Sequence, residues 1–149
     1  MKKFAAALAL SALAGCAVGI QDNGGSPQTS FEVNRNYQTV FARAVDQANA
    51  CMRGDESGFD GRREDRQMRG SAFEVSSSLN EAARSGEVLV TEPLSGAVMA
   101  RTRFQAAGAG RTTVTQQVWG RGTWDAKTLT AMRRSIEMDA SLCTVYEIK

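Results

Sequence analysis

Arg101 and Arg103 stand at alternate positions in a stretch that reads as a strand, so both guanidinium groups fall on one side of it. Such a pair can hold an anionic group by charge-assisted hydrogen bonds: a lipid phosphate, a cell-wall carboxylate or an acidic partner surface. The alternative is a solvated sheet face. Further along, Trp119-Gly120-Arg121-Gly122-Thr123-Trp124 puts a tryptophan on each side of a Gly-x-Gly turn. The two rings read either as a solvent-facing platform or as packing between a sheet and the helix that follows. The run is not a phosphate loop, because that loop's glycine spacing and lysine are absent. Arg101, Arg103, Trp119 and Trp124 are therefore the candidate binding residues.

Catalysis has little to work with. The chain has no histidine, which excludes histidine metal ligands, Ser-His chemistry and histidine-based pH sensing. Beyond Lys2 and Lys3 the only lysines are Lys127 and Lys149, so Ser-Lys chemistry is unsupported. Paired carboxylates cleave glycans in many hydrolases. The acids here fall in a loop and on helix surfaces, which makes an envelope hydrolase the least favoured reading. That loop, 53–70, interleaves Arg53, Arg62, Arg63, Arg66 and Arg69 with Asp55, Glu56, Asp60, Glu64 and Asp65. Its charges cancel, so it is no nucleic-acid patch, and its acids lack the spacing of a calcium loop. It reads as a solvated loop or a partner-binding one. No catalytic residue, metal site or cofactor is assigned.

The three cysteines of this 149-residue chain, an odd count, are explained by the N-terminus. Lys2 and Lys3 precede an apolar run, Phe4 to Leu13, too short to span a bilayer. Leu13-Ala14-Gly15-Cys16 follows. These residues resemble the signal peptide and lipobox of small bacterial envelope lipoproteins. The resemblance implies a diacylglyceryl group on the Cys16 thiol, cleavage before Cys16 and acylation of the new amine, with palmitate among the usual chains. Several acyl chains make a stable anchor. The inner-membrane retention signal of that family is an Asp directly after the cysteine. Ala17 stands there, which favours the outer membrane, with the domain facing the periplasm.

Removing Lys2 and Lys3 takes the 18 basic residues to 16, matching the 16 acidic ones. The net charge of +2 thus belongs to the signal. With Cys16 acylated, Cys51 and Cys143 remain as an even pair in an oxidising compartment. They are expected to form a disulfide joining the C-terminal ends of two helices; the alternative is two free buried thiols.

The elements that must position these groups follow from periodicity. Residues 17–30 are rich in Gly, Ser, Asn and Gln and read as a flexible tether reaching at most about 45 Å. Tyr37, Phe41, Ala44, Ala48 and Cys51 form one stripe of a helix expected over Asn34–Met52, with Asn34 as its cap. Phe31 and Val33 alternate ahead of it, as a short edge strand or a packed loop. Strands are expected around Phe73–Ser77, over Val88–Thr91 after a turn at Arg84–Glu87, and over 97–104 and 111–119. A glycine-containing hairpin turn joins the last two. Leu129, Met132, Ile136, Ala140 and Cys143 stripe a final helix, Asp125–Cys143, capped by Asp125. The tail Val145, Tyr146, Ile148 could add a strand.

The expected architecture is α+β: an antiparallel sheet of four to five strands with an N-terminal and a C-terminal helix packed on one face. The domain plan is a signal peptide (1–15), an acylated cysteine and tether (16–30) and a single periplasmic domain (31–149). The expected role is a non-catalytic, membrane-tethered lipoprotein that binds or positions an envelope protein at the outer membrane. Its partners are then the bilayer, through Cys16, and a protein, with no nucleic acid. The alternative is a binder of a small anionic or cell-wall ligand through the arginine-bearing face.

Overall fold

The computed structural model describes residues 18–53 and 73–143. The lipobox with Cys16, nearly all of the charged loop and the tail from Val145 to Ile148 lie outside the described residues. The chain folds as β1 (Gln28–Val33), α1 (Tyr37–Met52), β2 (Glu74–Asn80), β3 (Ser85–Thr91), β4 (Val98–Ala106), β5 (Thr112–Val118) and α2 (Ala126–Met138). The strands form one antiparallel sheet in the order β1-β5-β4-β3-β2, and both helices cover one of its faces. The α+β architecture expected from the sequence is the one observed, with Phe31 and Val33 in a true edge strand.

The covered face is built from alternate residues in register. Phe31, Val114, Phe104 and Gly86 form one cross-strand row. Val118, Ala100, Val90 and Val75 form another. From α1, Val40, Ala44 and Ala48 pack down on this face, and from α2, Leu129, Met132 and Ile136. At Gly86 a side chain would collide: a Cβ there would lie 2.5 Å from Phe104 Cζ and 2.5 Å from the Ser78 carbonyl oxygen. Glycine lets the Phe104 ring lie across β3. Thr102, Thr112 and Gln116 bring polar groups into the same layer. Thr112 donates to the Arg35 carbonyl at 2.8 Å, which ties β5 to the turn ahead of α1.

Four expectations are corrected. The helix over Asn34–Met52 begins at Tyr37, and its cap is Asn36, whose side chain accepts from the Thr39 N–H at 2.8 Å. The turn placed at Arg84–Glu87 lies at Glu81–Arg84, with Arg84 at φ 50°, so Ser85, Gly86 and Glu87 belong to β3.

The final helix stops at Met138, although Asp125 does cap it. Asp139 turns left-handed at φ 55°, and its side chain is held by Arg35 and Arg43 at 3.0 and 2.9 Å. Residues 140–143 then fold back. The Ser135 hydroxyl accepts from the Leu142 N–H at 2.9 Å and donates to the Leu142 carbonyl at 3.2 Å. Cys143 therefore lies on this return, not on α2. It is bonded to Cys51 in the last turn of α1, with an S–S distance of 2.09 Å.

The fourth correction concerns the tether. Residues 18–27 are attached to the sheet, and 28–30 already belong to β1. The Ile20 N–H donates to Val98 O at 2.7 Å, and the Val118 N–H to Pro27 O at 3.1 Å. The Ser26 hydroxyl bridges the Gln21 N–H and the Trp119 carbonyl. Gly19, at φ +97°, fits against Val98 where a Cβ would meet backbone at 3.0 Å. A Gly-, Ser- and Asn-rich run is flexible when nothing bonds its backbone; here the sheet supplies the partners.

Candidate functional site

The helix-free face of the sheet carries the site. Alternation puts Leu89 of β3, Arg101 of β4 and Gln117 of β5 in one row. Glu87, Arg103 and Thr115 form the next. Glu87 is the centre of the arrangement. Its Oε1 lies 2.7 Å from Arg103 Nε, directly opposite, and 3.6 Å from Arg101 Nε, on the diagonal. Arg101 also reaches the N-terminal segment, with Nη1 3.0 Å from Asp22 Oδ1. Arg103 is largely exposed, whereas the Arg101 side chain is only 15 % exposed. The Arg101 Nε is enclosed without a hydrogen bond of normal length.

Beside this cluster the face dips into a broad, open depression of about 680 Å³, lined among others by Ser78, Glu87, Arg103, Gln105, Thr113 and Thr115. A smaller hollow of about 350 Å³ lies between β1 and α2, against Thr29, Arg133, Arg134 and Met138. Arg133 is committed there, bonded to Glu137 at 2.7 Å and lying over the Phe31 ring at 4.9 Å. Among the described residues no three His, Cys, Asp or Glu side chains come together as a metal site. Asp139, at the end of α2, has its carboxyl held below the usual range, first by the hydrogen bond from Arg43 and then by that from Arg35.

Of the four candidate binding residues, the structure brings Arg101 and Arg103 together. Trp119 follows β5 on their side by alternation and is half-buried; its N–H donates to the Met99 carbonyl and its carbonyl accepts from the Ser26 hydroxyl. Trp124 is separated from them. It is 6 % exposed, in the core, with Phe73 edge-on to its ring at 4.9 Å. Of the two alternatives, Trp124 takes the core-packing one and Trp119 is half-covered, because the turn between them reverses the chain toward α2. Hydrogen bonds from the Gly120 N–H to Trp124 O and from the Trp124 N–H to Arg121 O close that turn.

The sequence reading missed Glu87 and Asp22. Gly86 beside it suggests a turn at Glu87, yet Ser85, Glu87, Leu89 and Thr91 alternate with Gly86, Val88 and Val90. That alternation already places Glu87 on an outer face. Asp22 sits in a run whose composition gave no such signal.

Chemically, the arginine pair is neutralised from within. A small anion would have to displace Glu87 or Asp22 from a guanidinium. A surface that itself carries paired charges can instead exchange partners across a wide contact.

No protein-family model matches the chain, and no curated protein is similar to it. Among solved structures, that of norcoclaurine synthase from Thalictrum flavum is 10% identical and aligns over 91% of this chain and 95% of its own, with a TM-score of 0.28. A TM-score of that size carries no argument about fold or activity.

Proposed function

We propose that the chain is a lipid-anchored lipoprotein of the bacterial outer membrane, facing the periplasm, whose helix-free sheet face holds a protein partner beside the membrane. The anchor rests on the lipobox residues Leu13 to Cys16. The partner reading is carried by one observation: the Arg101–Glu87–Arg103 cluster, neutralised together with Asp22, on a sheet face that the helices leave open. The depression on this face is broad and open, unlike the enclosed pockets that take small ligands.

The attached N-terminal segment sharpens the geometry. Cys16 is two residues from Val18, roughly 7 Å of extended chain. The segment from Gly19 to Pro27 is bonded to the sheet. An acylated Cys16 would therefore hold the domain against the bilayer, with the Asp22–Arg101 contact on the side from which the anchor arrives, instead of letting it stand off on a long leash.

Two experiments test this. Metabolic labelling with an alkyne-bearing fatty acid should tag the chain and lose the tag in Cys16→Ser. Photo-crosslinking residues at Ser78 and Thr115, on the open face, should give a defined protein adduct in intact cells, and one at Arg134 on α2 should not. Absence of the label overturns the anchor. Equal adducts from both faces, or none from Ser78 and Thr115, overturn the partner face.

A further inference from the structure

The two ends of the sheet are finished differently. At one end, β1 is preceded by Pro27, carries Glu32 and is flanked by α2, whose Arg133 lies over Phe31. Proline, charge and a neighbouring helix are the usual ways of keeping a second strand from docking on a sheet edge. At the other end, β2 has no proline, its one charge is Glu74 at its first residue, and α1 packs against it. Its seven residues, Glu74–Asn80, run in unbroken antiparallel register with β3, from Glu74 opposite Thr91 to Asn80 opposite Ser85. It contains no Lys, Arg or Pro and no bulge. Ser76, Ser77 and Ser78 in its middle are exposed. The outward ladder groups of this strand have no strand partner among the described residues.

We infer that the β2 edge pairs with β2 of a second copy of this chain, antiparallel and centred on Ser77. The strand is self-complementary in that register. Ser77 faces its own counterpart, Ser76 faces Ser78, Val75 faces Leu79 and Glu74 faces Asn80. Directly opposed residues share a face. The half-buried Val75 and Leu79 thus meet on the helix side, and Ser76 and Ser78 meet on the open side. The one charge in the strand, Glu74, meets a neutral amide, so no like charges are opposed. A centre at Ser78 would set Val75 against Glu81, and a centre at Ser76 would leave only five strand residues paired. Ser77 alone uses all seven.

The symmetry closes. A two-fold axis through Ser77, perpendicular to the sheet, gives an isologous pair and stops at two. Both copies keep their open faces on one side, in a continuous ten-stranded sheet. Both N-terminal segments, pinned by Asp22 to Arg101, stay on that side as well. A seven-residue ladder buries less than the roughly 1,200 Å² of a stable soluble dimer, so the pairing is concentration-dependent. The inference stands independently of the acylation of Cys16.

Light scattering on the full chain in detergent, from micromolar to near-millimolar protein, should show monomer passing to dimer. Opposed Cβ atoms in such a ladder are about 4.5–5.5 Å apart. Ser77→Cys should therefore give a disulfide-linked dimer under mild oxidation, well above the level of the parent chain or of Ser30→Cys on β1. Ser77→Lys opposes two like charges and should weaken the dimer about fivefold. Ser76→Lys combined with Ser78→Glu opposes unlike charges and should keep it. Thermal melts of each variant check that the fold persists. A monomer at every concentration, assemblies larger than two, or a Ser77→Cys link no stronger than that of Ser30→Cys would overturn the pairing.

Discussion

Glu87 Oε1 lies 2.7 Å from Nε of Arg103, its direct cross-strand neighbour, and the same oxygen faces the more buried Arg101 at 3.6 Å. One carboxylate thus serves two guanidinium groups of unequal exposure. Glu87→Ala leaves Arg101, already short of hydrogen bonds at Nε, with Asp22 as its one charged partner among the described residues. The expected cost is about 1.5 kcal/mol, the low end for hydrogen bonds to charged groups, because Glu87 is partly exposed. Arg103→Ala removes an exposed partner and should cost about 0.5 kcal/mol or less. Urea unfolding of the two variants separates them; equal losses would mean that Arg101 does not depend on Glu87.

The contrast between Glu87 and Asp22 shows what was legible in the sequence. The apolar stripes of α1 and α2 and the alternation of β4 and β5 follow from periods of 3.6 and 2, so the sheet, its helix-covered face and the pairing of Arg101 with Arg103 were readable. So was the Cys51–Cys143 pair. What escaped depended on long-range backbone partners. Gly86 looked like a turn residue because glycine usually is one; its reason is the Phe104 ring on the next strand. Residues 18–27 looked like a linker because their hydrogen bonds run to Val98, Val118 and Trp119, 78 to 93 positions away. Asn34 and Asn36 are both capping residues by type, and only the position of Tyr37 in the core decides between them. The end of α2 was misplaced because Ala140 and Cys143 keep the helical spacing after Asp139 has reversed the chain.

The disulfide closes a long loop, joining Cys51 and Cys143 at a sequence separation of 92. Loop entropy of that length amounts to about 4–5 kcal/mol on the chain-entropy model. Replacing both cysteines by Ala should lower unfolding stability by up to that amount. The bond also acts locally, because it and Ser135 hold the same return of residues 140–143. Ser135→Ala should therefore cost more in the chain lacking the disulfide than in the intact one. A double-mutant cycle by denaturant unfolding measures this coupling, and strict additivity would show that the two ties act separately.

Asp139 gives the fold an acid-sensitive tie. Its carboxyl titrates below the ordinary value of 3.8, mainly through the hydrogen bond from Arg43 and then that from Arg35. A depressed folded-state value means that the contribution is complete above the unfolded value and is lost as pH falls through the folded one. Asp139→Asn keeps a residue that tolerates the left-handed backbone at this position. The variant should be less stable than the parent at neutral pH, and the difference should shrink as the pH drops below about 3.8. Unfolding free energies across that interval test it. A constant difference would assign the effect to the turn and not to the charge.

Gly86 links the core to the open face, since it precedes Glu87 in β3 and sits beneath the Phe104 ring. In Gly86→Ala the new methyl would meet both Phe104 Cζ and the Ser78 carbonyl at 2.5 Å. The ring could rotate away, but the carbonyl belongs to the β2 ladder and moves only with that strand. Overpacking of this kind costs about 1–3 kcal/mol. Trimming the ring with Phe104→Leu in the same chain should recover only part of the loss, because the clash with β2 remains. Phe104→Leu alone removes well-packed core volume and should itself destabilise the parent. The two substitutions should then be strongly non-additive, with the double variant more stable than the sum of the singles implies. Additive losses in thermal and urea unfolding would show that β2, and not the Phe104 ring, takes up the whole of the displacement.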